Sequence, residues 1–291
     1  MDREICVGVA GCGTMGTGIA IVAARAGFRT LFFDLDAARV KGARSQMEAF
    51  FAKSVERKKL TPEQASASLA RARGTSAIAD MADCDLVIEA VFEDFEIKGS
   101  LFSQLNKICP PGTIFASNTS TLSITEIAAK SGREDRFVGM HFCLPAQLMK
   151  LVEMSAGLRT SEDVFAEAWT ICERMGQRPV RTQDTPGFIL NYFLVPFNND
   201  AIRLVEQGVA EPAEIDRAIK GALGYAMGPM ELLDLVGLDT QVLLCEALGK
   251  VTNEPRAACP PLLRRMVAAN LLGRKTSRGF LTYKSNAIFG A

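Results

Sequence analysis

The chain of 291 residues carries a single histidine, and its eight cysteines include no C-x-x-C pair. A zinc centre needs three or four closely spaced Cys, His or carboxylate ligands, so no metal site is expected. The cysteines (6, 12, 84, 109, 143, 172, 245 and 259) show no regular spacing, and most sit in apolar surroundings. They read as reduced, buried small hydrophobes, which points to a cytoplasmic location. Charge of one sign is not in excess either: Lys plus Arg and Asp plus Glu number 33 each. No global electrostatic case exists for nucleic acid or a membrane surface as partner. No uninterrupted apolar run approaches the roughly 20 residues that span a bilayer. The first apolar segment is short and broken by glycines, so no signal-like pattern opens the chain. Internal repeats and low-complexity stretches are also lacking. Charge is concentrated locally, in Lys53, Arg57, Lys58 and Lys59 and again in Arg274, Lys275 and Arg278.

What is present begins within the first 34 residues. Ile5-Cys6-Val7-Gly8-Val9-Ala10 is a β-branched apolar run, followed at once by Gly11-Cys12-Gly13-Thr14-Met15-Gly16. A helical pattern comes next, and Leu31-Phe32-Phe33 then ends at Asp34, 18 positions past Gly16. A lone G-x-G-x-x-G is weak, but a strand before it, a helix after it and an acidic residue ending a second strand supply the context of a dinucleotide fingerprint. Gly11 would make the tight turn, Gly13 would admit the pyrophosphate and Gly16 would let helix and strand pack closely. Thr14 and Met15 complete the loop at the positive end of the helix dipole. Asp34 would bond the ribose hydroxyls and repel a 2′-phosphate, favouring NAD over NADP. It could instead serve as a turn or capping aspartate, a role for which Asp36 competes. The chain is short for a flavoenzyme and has no second flavin motif.

The length suggests about two domains. Strand patterns at Ile5–Ala10, Thr30–Phe33, Asp85–Ala90, Ile114–Ala116, Phe137–His141, Leu151–Met154 and Arg178–Thr182 alternate with helical ones. These predict an α/β fold with a doubly wound, mostly parallel sheet over residues 1–183. Helices are expected at Met15–Ala26, from Ala37 into the basic cluster, from Pro62, and at Phe95–Ile108, Ser123–Lys130 and Ser161–Met175. From Pro186 the pattern turns helical throughout, which predicts a smaller all-helical domain over residues 184–291.

Hydride transfer from an alcohol requires a base for the hydroxyl proton. His141 is the single imidazole, at the end of a predicted strand where ligands of such sheets bind. Glu153, twelve residues later and flanked by apolar side chains, could fix its tautomer and stabilise the imidazolium. A histidine packed structurally at a strand end is the alternative.

Several segments together resemble the short-chain L-3-hydroxyacyl-CoA dehydrogenases. They are Asp85–Glu93 (DLVIEAVFE), Ala116–Glu126 (ASNTSTLSITE), Gly139–Glu153, Asp184–Asn191 (DTPGFILN), Met227–Thr240 (MGPMELLDLVGLDT) and Leu272–Phe280 (LGRKTSRGF), in the family's order. The resemblance implies a Rossmann-type NAD-binding domain followed by a helical domain that positions substrate and forms a homodimer. It implies reversible NAD-dependent oxidation of an L-3-hydroxyacyl-CoA, with His141 as base and Glu153 as its partner. Ser120 is implied near both substrate and nicotinamide, Asn191 in substrate positioning, and Glu93, Lys98 and Lys275 at the cofactor. Each has a plainer reading: Ser120 as a helix N-cap, Asn191 as an exposed polar residue, Lys275 as a solvated tail lysine. The basic cluster suits the CoA phosphates, with Lys58 first and Lys53 behind it, although such runs also occur as solvated helix faces.

The match breaks after the histidine. Where the family reads His-Phe-Phe-Asn-Pro, this chain has His141-Phe142-Cys143-Leu144-Pro145. Ala146-Gln147-Leu148 replaces the usual Pro-Val-Pro-Val segment, and Tyr192 replaces an arginine. An unreplaced hydrogen bond in a closed site costs about 1–3 kcal/mol. The site could therefore serve another acyl group, a carrier-protein-bound or free 3-hydroxy acid, or a weakly active NAD(H)-binding homologue. Because His141, Glu153, Ser120 and Asn191 all remain, an active dehydrogenase is the favoured reading.

Overall fold

The apolar run ahead of the first glycine forms β1 (Cys6–Ala10), buried at every position. That burial is what a central strand covered by helices on both faces requires. The computed structural model describes residues 4–283. The remaining strands are β2 (Arg29–Phe33), β3 (Ala72–Thr75), β4 (Leu86–Glu89), β5 (Ile114–Ser117), β6 (Phe137–Phe142), β7 (Leu151–Ala156) and β8 (Arg178–Thr182). They form one sheet in the order β3-β2-β1-β4-β5-β6-β7-β8. All neighbours run parallel except β6 and β7. β1 lies between β2 and β4, where the winding reverses, so a crevice opens at the carboxyl ends of these strands.

Helices α1 (Thr14–Arg25), α2 (Ala37–Glu56), α3 (Pro62–Arg71), α4 (Phe95–Ile108), α5 (Ile124–Ser131) and α6 (Glu162–Arg174) cover the sheet. Local chemistry starts them. Asp36 caps α2 by accepting from the Ala38 amide, and Asp94 caps α4 through the Ile97 amide. Thr61 and Gln64 form a reciprocal capping box ahead of Pro62 in α3, each cap contributing about 1 kcal/mol. Val7, Val9, Ile19, Ile88, Ala116, Val138, Met140 and Val152 lie in the shared core.

The chain divides into two compact units between Thr185 and Pro186. Asp184, placed at the start of the helical domain by the sequence reading, is fastened to the first unit. Its carboxylate accepts from the Ser123 hydroxyl and from the amides of Ile124 and Thr125, satisfying the open N-terminus of α5. The second unit is built from α7 (Leu190–Glu206), α8 (Pro212–Leu223), α9 (Pro229–Val236), α10 (Leu238–Thr252) and α11 (Pro261–Ala268). Its core gathers Val195, Ile202, Ile215, Met230, Leu233, Leu238 and Leu248. Buried Asp234 accepts from the amides of Phe280 and Leu281 and from the Tyr283 hydroxyl, tying down the segment after α11. Among the described residues no helix is long and apolar enough to cross a membrane.

Candidate active site

The glycine loop has the shape its spacing implies. Gly11 takes φ +108°, and a Cβ there would lie 2.5 Å from the Ala90 carbonyl oxygen. A Cβ on Gly16 would come within 1.8 Å of the Gly11 carbonyl oxygen, so only glycine lets α1 pack this closely on the loop. Gly13 is different: nothing lies within 4 Å of a Cβ built there. Its face is open, at an α1 N-terminus with no side-chain cap and no acidic residue in its first turn. Such a terminus accepts a pyrophosphate on its free amides. Asp34 stands beside it, accepting from the Cys12 amide at 2.9 Å and the Asp36 amide at 3.1 Å. Asp36 takes the α2 cap, which leaves Asp34 at the loop. The cradle fits a dinucleotide.

His141 lies at the carboxyl end of β6, on the same edge of the sheet as the glycine loop after β1. Antiparallel pairing puts it opposite Glu153 on β7. Both side chains are buried, and His141 Nδ1 is 2.8 Å from Glu153 Oε2. An ionised Glu153 can only accept, an arrangement that would put the proton on Nδ1 and the lone pair on Nε2. Ser120 Oγ is 3.0 Å from that Nε2. Ser120 is not a helix cap, because Ser123 fills that position for α5.

The loop after β5 that carries Ser120 is held by a charge cluster in which Glu89 and Lys98 are buried and Glu93, at its rim, is partly exposed. Glu93 Oε1 accepts from Thr119 Oγ1 at 2.6 Å, the Ser120 amide at 2.8 Å, the Thr121 amide at 3.0 Å and Thr121 Oγ1 at 3.1 Å. Its other oxygen is 3.2 Å from Lys98 Nζ, which bonds Glu89 Oε1 at 2.6 Å. Ser117 Oγ and the Val91 amide also donate to Glu89. Burial raises the Glu93 carboxyl, but the Lys98 charge and these donors outweigh it and hold it below the ordinary range. Burial lowers the Lys98 ammonium, and the two carboxylates outweigh that, so it stays protonated above its usual range. Burial pushes Glu89 up, against the pull of Lys98. Lys98, expected at the cofactor, is 1 % exposed; its reach toward the crevice runs through Glu93.

Ser120, His141 and Glu153 form a hydrogen-bonded line of the kind used by hydrolases. An acyl-transfer serine also needs amides to stabilise an oxyanion. Here the Ser120 and Thr121 amides are given to Glu93, and the Leu122 amide to Thr119 Oγ1. These three amides are therefore committed within the loop and are not open to an oxyanion.

Asn118 escaped the sequence reading. Its Oδ1 accepts from the Phe142 amide at 2.8 Å, and its own amide donates to the Glu89 carbonyl. It links β4 to the residue following His141, inside a motif whose serine drew the attention. Cys143 is buried close by, its thiol pushed up to about 11 by burial and then by the Glu153 charge.

The other candidates are placed as follows. Lys53 is half-buried in the last turn of α2, whereas Lys58 lies beyond that helix, exposed and at φ +55°. The expectation that Lys58 sits on the long helix is corrected: α2 stops at Glu56. In the second unit Asn191 is 9 % exposed in the first turn of α7, so it is not on a solvated face. Lys275 pairs with Asp239.

The comparisons with known proteins agree along nearly the whole length. The family model for the 3-hydroxyacyl-CoA dehydrogenase NAD binding domain matches residues 6–185, and that for the C-terminal domain matches 187–283. A probable 3-hydroxybutyryl-CoA dehydrogenase of Deinococcus radiodurans is 42% identical over 276 residues, covering 95% of this chain and 99% of that protein. The human mitochondrial hydroxyacyl-coenzyme A dehydrogenase is 40% identical, covering 96% and 91%. The crystal structure of (S)-3-hydroxybutyryl-CoA dehydrogenase from Ralstonia eutropha superposes with a TM-score of 0.90 at 36% identity, covering 97% of this chain and 100% of that one. The chain belongs to the 3-hydroxyacyl-CoA dehydrogenase family and is an NAD-dependent oxidoreductase.

Proposed function

We propose that this enzyme catalyses the reversible oxidation of an L-3-hydroxyacyl-CoA to the 3-ketoacyl-CoA, with His141 as general base paired with Glu153. The observation that carries the reading is the Ser120–His141–Glu153 line at the sheet edge that also bears the glycine loop. When bound, NAD supplies the hydride acceptor at its nicotinamide ring. Gly13, Thr14, Met15 and the α1 N-terminus hold its pyrophosphate, and Asp34 its ribose. His141 Nε2 takes the proton from the substrate hydroxyl as it becomes a carbonyl. Glu153 steadies the imidazolium, and Ser120 orients the oxygen by hydrogen bonding. Glu93 lines the crevice, and by the family resemblance Asn191 is assigned to the substrate, Lys275 to the cofactor, and Lys53 and Lys58 to the CoA phosphates. Exposed Tyr192, Phe193, Val209, Leu223, Tyr225 and Leu243 on the helical unit support a homodimer formed through it. The location is cytoplasmic.

The test is a panel of NADH-dependent reductions of acetoacetyl-CoA, longer 3-ketoacyl thioesters, a carrier-bound thioester and free 3-keto acids. Thioesters of CoA are expected to turn over fastest, giving the L isomer. A free or carrier-bound acid outrunning every CoA ester would replace the substrate assignment. NADH binding without turnover of any thioester would overturn the reading.

A further inference from the structure

We infer that Asn118 is a positioning residue for His141 and Ser120, locking the end of β6 to the loop that carries the serine. β5 leaves the sheet after Ser117, which pairs with Gly139, whereas β6 runs on through Met140 and His141 to Phe142. One edge of that overhang is held by β7, with His141 opposite Glu153 and Phe142 opposite Val152. On the β5 edge no strand is left to meet it. Phe142 is buried, and a buried N–H requires an acceptor. That acceptor is Asn118 Oδ1 at 2.8 Å, a side-chain carbonyl in the place a longer β5 would have filled from its backbone. On the opposite flank the Asn118 amide donates to the Glu89 carbonyl at 2.9 Å, extending the pairing of β4 with β5 by one bond. One residue thus bridges β4 and β6 across the point where β5 ends. Two positions further on lies Ser120, whose hydroxyl is 3.0 Å from His141 Nε2. Glu93 fastens the Ser120 loop to the segment after β4; Asn118 fastens it to β6. Without the Oδ1 acceptor the end of β6 can shift against the loop, and a displacement of about 1 Å in a reacting constellation costs about 100-fold in rate.

The inference rests on the proposed roles of Ser120 and His141, and the experiment separates the two. Asn118→Ala removes the acceptor at a half-buried position. It is expected to lower kcat for acetoacetyl-CoA reduction about tenfold, while the KM for the thioester and the NADH dissociation constant, read by cofactor fluorescence, stay within about twofold. Asn118→Asp keeps an accepting oxygen in the same place and should return kcat to within about threefold of wild type. In a Ser120→Ala background Asn118→Ala should cost less than about threefold, since the distance it sets no longer matters. Asn118→Gln, whose carbonyl is set back by one methylene, covers the case in which Asn118→Ala does not fold. It should lower kcat about tenfold with the same dependence on Ser120. NADH affinity falling about tenfold with turnover preserved at saturation would make Asn118 a cofactor contact and overturn the inference. An unchanged kcat in Asn118→Ala, no recovery in Asn118→Asp, or fully additive losses in the Ser120→Ala background would overturn it too. If Ser120→Ala alone left kcat unchanged, the catalytic reading would fail and this inference with it. A slow Ser120→Ala beside an unimpaired Asn118→Ala would strike the inference alone.

Discussion

Replacing Glu153 by glutamine removes one charge from the buried pair while keeping its size. The carboxylate is 1 % exposed, with Oε2 at 2.8 Å from His141 Nδ1. When the ring takes the substrate proton, the pair becomes imidazolium and carboxylate. Charge centres about 4 Å apart attract by about 4 kcal/mol at an effective dielectric of about 20. The amide retains a neutral hydrogen bond worth about 1 kcal/mol. About 3 kcal/mol of transition-state stabilisation is lost, or about 100- to 200-fold in kcat. An amide that offers its NH2 to Nδ1 would also impose the wrong tautomer and deepen the loss. The assay is the initial rate of NADH absorbance loss with acetoacetyl-CoA, both saturating, beside NADH affinity and melting temperature. Affinity and melting temperature are expected to hold. A kcat within about threefold of wild type in a folded Glu153→Gln protein would refute the argument, because the charge would then contribute under 1 kcal/mol.

Asp34→Ala should weaken NADH binding about tenfold and leave NADPH unchanged or improved; an unchanged preference in fluorescence titrations would sink the ribose assignment. Gly13→Ala should cost at most about 1 kcal/mol of stability, since space is open there, yet weaken NADH at least tenfold by filling the pyrophosphate face. Gly16→Ala, whose Cβ meets backbone at 1.8 Å, should lower the melting temperature itself; the reverse pattern would contradict the loop geometry. The Glu93 carboxyl is held below its ordinary range because Lys98 and the loop donors outweigh burial. Its contribution is therefore present above the unfolded value near pH 4.3 and is lost as pH falls through the lower folded one. Glu93→Gln should flatten the acid limb of melting temperature against pH, and an unaltered limb would count against the cluster.

Much of the frame was legible because its signals are local. Phe95–Ile108 and Arg178–Thr182 emerge at the bounds their patterns set, and Pro62 opens α3 behind a Thr61 cap. β3 was missed. Its sequence, Ala72-Arg73-Gly74-Thr75, has neither alternation nor an apolar run, and it lies at the sheet edge, where pairing with β2 alone makes it a strand. Histidine and glutamate could be named from residue type and position, and their pairing was expected too; the antiparallel register of β6 and β7 that delivers it was not. Lys98 shows the limit most plainly. A lysine in the first turn of an amphipathic helix looks solvent-facing, and only the convergence of β4, β5 and α4 turns it inward onto two carboxylates. Asn118 was hidden for a similar reason, since its partner amide belongs to another strand.

The reversal of one strand accounts for several features of the site together. β1, β4, β5 and β6 run parallel, so the glycine loop, the segment after Glu89, the Ser120 loop and His141 all emerge at one edge. A parallel neighbour of β6 would need a crossover before it could return a side chain to His141. Because β7 instead runs back, a short connection over residues 143–150 suffices, and Glu153 faces His141 in register. Register then fixes the face: a one-residue slip would turn Glu153 away from the imidazole altogether. The same connection carries Cys143 and Leu144, where the sequence departs from the family pattern, so those departures fall at the crevice edge beside the base. The base, its acid partner and the stretch that differs from the family pattern are thus coupled by one hairpin, which is where a change of substrate would be written with the proton relay left intact.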